Sequence, residues 1–365
     1  MLKKTVGGFA SLLLSLSLVA CGGGGGQPAA QSGSGEASGS QGTGNGAKEL
    51  VVVDWGGAFT DAHKKSTFDP FEQKYGVKIT VVSPPDYGKL KAMVESGNVE
   101  VDVANVDFDF SIRGGQQGLL EKLDFDVIKT DGIDPKLIND YGVGAELFSA
   151  VIAYNTDTFS AENHPKSWAD FWDTKKFPGP RSMWKYPTGT LEAALLADGV
   201  KPEELYPLDV DRALKSLDKI KKDVKVWWTT GAQVPQLLAN GEVVLAEAWN
   251  GRITTAKGQG APEDVDFSQG LILSNVWIVP KGTKNKELAM KFIAFAADPQ
   301  QQAAFSSIID YAPTTSKAID LLPEEVRKRL GQSAENAQSQ IYVDYKWWVE
   351  NFDAVNERFE QWLLQ

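Results

Sequence analysis

From Lys48 onward the chain alternates short β-branched runs with segments of helical spacing, and this alternation restricts the fold more than any other feature. Glu49–Asp54 (ELVVVD) reads as a strand. Ser66–Tyr75 reads as a helix stopped by Gly76, with Pro70 tolerable only in its first turn. Val77–Val82 is the next strand, and Asp86–Ser96 sets Leu90, Met93 and Val94 on one helical face before Gly97. Val101–Val106 is a third strand, followed by a helix through Leu120. A second series runs through strand-like Phe148–Tyr154, Arg181–Trp184, Val243–Ala248 and Val276–Pro280. Helical Trp168–Trp172, Thr190–Asp198, Gln233–Ala239, Lys286–Ala297 and Trp347–Leu364 lie among and after them. Such repetition predicts an α/β fold of doubly wound, mostly parallel sheets. Lys48 to Gln365 is more chain than one hydrophobic core usually serves, so two lobes are expected.

In open α/β sheets ligands bind outside the carboxyl ends of the strands. Here those ends carry Trp55-Gly56-Gly57, then Asp107 and Asp109, then Lys185, Tyr186 and Thr188, then Trp249, Asn250 and Arg252. Asn275 and Tyr311 lie near the last strand. Aromatic faces attract ammonium groups, carboxylates accept charge-assisted hydrogen bonds, and glycines let a ligand approach the backbone. Most of the 11 tryptophans should pack the interior. Trp55 and Trp249 are set apart because each ends a strand and has a glycine within two residues.

The acidic balance, a formal charge of −11, disfavours nucleic acid and anionic lipid and mildly favours cationic solutes, although a solvated acidic surface would look the same. His63 and His164 have no triad or metal-ligand partner nearby in sequence, and no phosphate-cradling, zinc-protease or nucleophile-elbow motif occurs. No enzyme activity, cofactor or metal is expected. The single cysteine, Cys21, excludes internal disulfides.

At the N-terminus Lys3 and Lys4 precede an apolar run, Thr5–Ala20, that is short for a membrane span and has the flanks of a secretory signal. Leu18-Val19-Ala20-Cys21 resembles the lipobox of bacterial lipoproteins; the alternative is a plain signal peptide with a chance cysteine. Gly22–Ala47, almost all Gly, Ser, Gln, Ala and Asn, reads as a flexible tether. Capture proteins, secreted enzymes and adhesins all use such a leash.

Taken together, several segments are recognisable. They are Trp55-Gly-Gly-Ala-Phe-Thr, Phe68-Asp-Pro-Phe-Glu with Gly76-Val-Lys-Ile, Asp102-Val-Ala-Asn-Val-Asp, Ala153-Tyr-Asn-Thr-Asp and Trp168-Ala-Asp-Phe-Trp. The series continues through Gly241-Glu-Val-Val-Leu-Ala-Glu-Ala-Trp-Asn-Gly-Arg, Val279-Pro-Lys-Gly-Thr-Lys-Asn-Lys-Glu, Tyr311-Ala-Pro-Thr and Trp347-Trp-Val-Glu-Asn-Phe. In this order they resemble the spermidine/putrescine-binding proteins of bacterial ABC importers. The resemblance implies a two-lobed, periplasmic-binding-protein-like fold that closes on a small solute and delivers it to a membrane permease. The implied division is residues 1–20 signal peptide, 21–47 lipidated cysteine and tether, 48–153 with 276–315 one lobe, and 154–275 with 316–365 the other. A monomer is expected, outside the cytoplasm at the periplasm or cell surface and lipid-anchored.

The family's ligand positions fall on Trp55, Trp249 and Tyr311, with Asp107 and Asp109 after the third strand; its acidic residue just before the late strand is Asn275 here. One departure matters. Where polyamine binders carry acids after the strand Arg181–Trp184, this chain reads Trp-Lys-Tyr-Pro-Thr-Gly-Thr. Loss of charge there and at Asn275, with Arg252 able to meet a carboxylate, sets a second reading beside the polyamine one. The ligand would be zwitterionic, of the 4-aminobutyrate or opine type, with its amine on Asp107, Asp109 and Trp55 and its carboxylate on Arg252 or Lys185. Arg252 as a rim ion pair remains equally open, and a surface-anchored hydrolase or an adhesive lipoprotein are the alternatives from other classes.

Overall fold

The computed structural model describes Lys48–Gln365; the signal segment, Cys21 and the tether lie outside the described residues. The β-branched runs become β1 (Lys48–Val53), β2 (Val77–Val82) and β3 (Val103–Asp107), and the connections between them are helical. Asp86 caps the helix Tyr87–Ser96 by accepting from the Lys89 amide, and Gly97 ends it in the left-handed conformation. Pro70 sits in the first turn of Asp69–Tyr75, where no amide hydrogen is needed. Among the helices the sequence reading missed is Gly57–His63, which runs into Asp69–Tyr75 through a π-helical turn, Lys64–Phe68; Val210–Ile220, Pro299–Ile308, Ser316–Leu321 and Glu324–Arg329 were missed as well.

The chain continues through β4 (Ile138–Asn139), β5 (Gly142–Asn155), β6 (Arg181–Trp184), β7 (Val224–Trp228), β8 (Leu245–Trp249), β9 (Glu263–Ile278), β10 (Ala312–Pro313) and β11 (Ile341–Tyr342). Among the described residues these form one sheet, whose main path is β2-β1-β3-β9-β5-β8-β6-β7. The flanks are parallel, as expected. The middle differs. β9 runs antiparallel to β3 and β5, and β5 antiparallel to β8. β5 and β9 pair from Val143 opposite Trp277 to Asn155 opposite Glu263, with irregularities at Gly144/Glu146 and Ala150/Ile152. They carry the chain between the flanks. Only parts of them are apolar enough to read as strands, because buried polar residues such as Glu146, Ser149 and Asn275 interrupt the hydrophobic run.

Each flank has its own interior. Leu50, Val52, Phe68, Phe71, Trp277 and Phe292 pack on one face of the first flank, and Val53, Leu90, Val106, Phe110 and Ile278 on the other. Around β6–β8 the core includes Trp168, Met183, Leu191, Trp228, Leu245 and Trp348. The C-terminal helix Tyr345–Leu363 buries Trp348, Phe352, Val355, Phe359 and Trp362. Its Phe352 ring lies 3.8 Å from the Arg113 guanidinium of the helix Phe108–Gln116, so it also touches the first flank. Among the described residues no helix is long and apolar enough to cross a membrane.

Candidate functional site

β1 stops at Val53, and Trp55-Gly56-Gly57 follow at its carboxyl end. Both glycines have positive φ, 73° and 59°. A Cβ on Gly57 would sit 3.2 Å from Nη1 of Arg252 and 3.1 Å from the Ala232 Cβ, so this bend lies directly against the other flank. Arg252, in the helix Asn250–Gly258 after β8, is 2% exposed and donates from Nη1 to the Gly56 carbonyl (2.8 Å) and from Nη2 to the Trp55 carbonyl (3.1 Å). Its guanidinium joins the two flanks. Burial lowers its pKa, opposed by the nearby Tyr311 and Asp54.

Aromatic side chains surround this junction. Trp55 meets Trp249 edge-on at 5.4 Å, and Phe148 lies 5.7 Å from Trp249 and 5.9 Å from Tyr311. Phe59 closes the ring, 5.7 Å from Tyr311. With Asn275 these five bound a small inner pocket of about 10 Å3, room for about one water with the flanks this close. Four buried polar atoms here have no hydrogen-bond partner among the described residues: Nε of Arg252, the Tyr311 hydroxyl, Nε1 of Trp249 and Oδ1 of Asn275. In a native interior such atoms are met by an ordered water or by a bound group. Burial also holds the Tyr311 hydroxyl well above its usual pKa, so it remains a donor.

A wider cleft of about 830 Å3 opens beside Trp55, lined among others by Tyr87, Asp107, Trp184, Lys185, Tyr186 and Phe352. Asp107 accepts from the Tyr87 hydroxyl, and burial and the neighbouring Asp109 push its pKa up to about 7. Asp109 is engaged by Arg113, at 3.0 and 2.8 Å from Nε and Nη2. The eight sequence candidates therefore separate. Trp55, Trp249, Asn275 and Tyr311 wall the inner pocket, and Arg252 adjoins it. Asp107 and Tyr186 line the outer cleft. Asp109 turns to Arg113 and lines neither space. Lys185, the other expected carboxylate partner, also lines the outer cleft.

Sequence reasoning missed Phe59, Phe148 and Glu146. Phe59 falls in an unread helix, and Phe148 was read only as strand. Glu146 left a signal that went unused: a lone acid in the otherwise uncharged run Gly142–Asn155. It is fully buried and accepts from Nδ2 of Asn275 (2.7 Å) and Nδ2 of Asn105 (3.2 Å). Among the described residues no cluster of metal-ligating side chains occurs.

A family profile described as "Bacterial extracellular solute-binding protein" matches residues 66–330. The gamma-aminobutyric acid-binding protein of Pseudomonas aeruginosa is 39% identical over 322 residues, 86% of this chain and 91% of its own. A solved GABA receptor is 43% identical, covers 87% of this chain and 98% of its own, and superposes with a TM-score of 0.77. The binding protein AgtB of A. tumefaciens R10, solved with agropinic acid, is 37% identical over 87% of this chain and 99% of its own, with a TM-score of 0.82. Further off, a spermidine/putrescine-binding periplasmic protein of Haemophilus influenzae is 27% identical over 71% of this chain and 74% of its own.

Proposed function

Because the chain belongs to the bacterial extracellular solute-binding proteins, non-enzymatic receptors of ABC transporters, we propose that its cargo is a short zwitterionic amine of the 4-aminobutyrate type. One observation carries this reading: a small aromatic pocket adjoins a buried arginine whose Nε, like the Tyr311 hydroxyl, has no hydrogen-bond partner among the described residues. A carboxylate accepting from both would satisfy them with charge-assisted bonds. The ammonium end then lies against the rings and Oδ1 of Asn275, the pocket's unpartnered acceptor. A polyamine brings only cations, and Arg252 would repel one of them in a low-dielectric site. The polyamine reading, first on sequence grounds, thus falls behind the zwitterion. The higher identity to the GABA-binding proteins supports that order.

The amine partners change as well. Asp109 is neutralised by Arg113 and Asp107 stands in the outer cleft, so Asn275 and the rings replace them. The two sheet flanks act as the closing lobes, and β5 and β9 as the crossings between them.

The test is calorimetric, with 4-aminobutyrate and putrescine against wild type and Arg252→Ala. Because the substitution also removes the bonds to Trp55 and Gly56, the comparison between ligands decides. The loss for 4-aminobutyrate should exceed that for putrescine at least tenfold, consistent with ~2–5 kcal/mol for truncating one partner of a buried charge pair. Equal losses would remove the carboxylate from this site. Attachment to the membrane through Cys21 is part of the same reading. Cys21→Ser should release the protein from membranes with its affinity unchanged, and continued detergent-phase partitioning of the variant would exclude the anchor.

A further inference from the structure

The inner pocket has one cation beside it and no carboxylate on its wall, yet the reading above places an ammonium group there. A buried acid behind that wall, Glu146, lies on β5 directly opposite Asn275 of β9. As an ionised acceptor it takes hydrogen bonds from two amides, and this orients both. Asn105 turns Nδ2 to Glu146 and Oδ1 to the Trp55 indole, which donates at 2.9 Å. Asn275 turns Nδ2 to Glu146, and its Oδ1 is buried without a partner at the pocket. One carboxylate thus sets the tilt of an aromatic wall and the polarity of the polar one. If Glu146 were protonated it would donate through one oxygen, and one of these amides could turn over.

We propose that Glu146 is the positioning residue that makes this pocket an ammonium receptor: acting through Asn275, it fixes an acceptor toward the ligand and supplies the negative charge that the wall itself lacks. The proposal rests on the zwitterion reading for the identity of the ligand, but needs only its ammonium end.

Proton linkage follows. Burial pushes Glu146 up to about 7, against the favourable His63 and with the unfavourable Asp54. Other groups facing it are Asn105 from β3, Asn275 from β9, and Tyr311 and Asp107, each of which feels the Glu146 charge. Arg252 lies just beyond Tyr311. An incoming ammonium favours the ionised acid, so binding near and below pH 7 must expel a proton. Affinity should be full above about pH 7 and should fall by up to tenfold per pH unit below it.

The experiment is calorimetry in paired buffers of different ionisation enthalpy, from about pH 5.5 to 8.5, where an aliphatic amine and a carboxyl group do not titrate themselves. Wild type should release close to one proton per 4-aminobutyrate at about pH 6, and almost none at about pH 8.5. Glu146→Gln should bind at least tenfold more weakly at the upper end and lose the pH profile, while melting cooperatively. Glu146→Gln with Asn275→Asp moves the charge by one hydrogen bond and should recover most of the affinity, which a purely structural role for Glu146 would not allow. Absence of proton release by wild type, or an unchanged profile in Glu146→Gln, overturns the proposal; the first needs no variant to fold. Putrescine separates the two readings. If it binds with the same profile and 4-aminobutyrate does not bind, Glu146 stands and the carboxylate assignment falls. If neither ligand binds, both fall.

Discussion

Tyr311 separates binding from stability more cleanly than Arg252, because among the described residues its hydroxyl lies near Arg252 but makes no hydrogen bond of good geometry. Tyr311→Phe should leave the melting temperature of the free protein equal or higher, since a buried unsatisfied polar atom is removed. Affinity for 4-aminobutyrate should fall tenfold or more, in line with ~1.5–3 kcal/mol for a hydrogen bond to a charged group. A matched fall in stability with unaltered affinity would place the hydroxyl outside the binding site. A different buried acid, Glu247 of β8, contributes to the pH dependence of stability. It accepts from the Trp184 amide at 3.1 Å and the Thr190 hydroxyl at 3.2 Å, and burial pushes its pKa up to about 8. The folded protein therefore keeps a proton that the unfolded chain sheds above the ordinary glutamate range. Its contribution is least unfavourable at low pH, and grows more unfavourable as pH rises from the glutamate range to about 8. Glu247→Gln retains an acceptor oxygen and should raise the melting temperature at pH 8, with little change at about pH 4.5.

At the scale of elements, the pocket depends on how closely the turn before the helix Gln233–Ala239 approaches Trp249 and Arg252. A Cβ on Gly231 would lie 2.4 Å from the Trp249 ring and 2.6 Å from Nε of Arg252. Neither is the free end of a flexible side chain: the indole is packed and the guanidinium is fixed by two carbonyls. Gly231→Ala should displace the Trp249 ring and the Arg252 guanidinium within their own flank and weaken 4-aminobutyrate and putrescine together, unlike Tyr311→Phe, which selects against the carboxylate ligand. Overpacking of this kind costs ~1–3 kcal/mol, and binding titrations of both ligands would read it. Affinity at the wild-type level would mean that Gly231 does not set the position of these two side chains.

For the whole molecule, closure is an equilibrium that a ligand shifts only if it contacts both flanks. The inner pocket meets that condition, since Trp55 and Asn275 come from the first flank and its β9 crossing, and Trp249 from the strand beyond β5. Saturating 4-aminobutyrate should reduce the radius of gyration measured by small-angle scattering. At one hundred times Kd it should also add about 2.7 kcal/mol of stability. A stabilised protein of unchanged dimensions would indicate that the ligand binds a state already closed.

The sequence by itself determined the strand–helix alternation, the parallel flanks, and two of the pocket walls, because a strand end followed by glycine is a local pattern that survives in one dimension. Trp55 and Trp249 were legible for that reason, and the helix stops at Gly76 and Gly97 likewise. Tertiary structure alone decided the antiparallel centre, since pairing partners such as Val143 and Trp277 are far apart along the chain. It also decided the division of the acids. Asp107 and Asp109 read as equivalent, but Arg113, one helical turn after Asp109, takes that carboxylate, and the turn of the chain leaves Asp107 facing the outer cleft. Glu146 was visible as a letter and invisible as a function. A carboxylate acquires its pKa and its role from what surrounds it, and here two amides, a histidine and complete exclusion of water meet only once β3, β5 and β9 lie side by side.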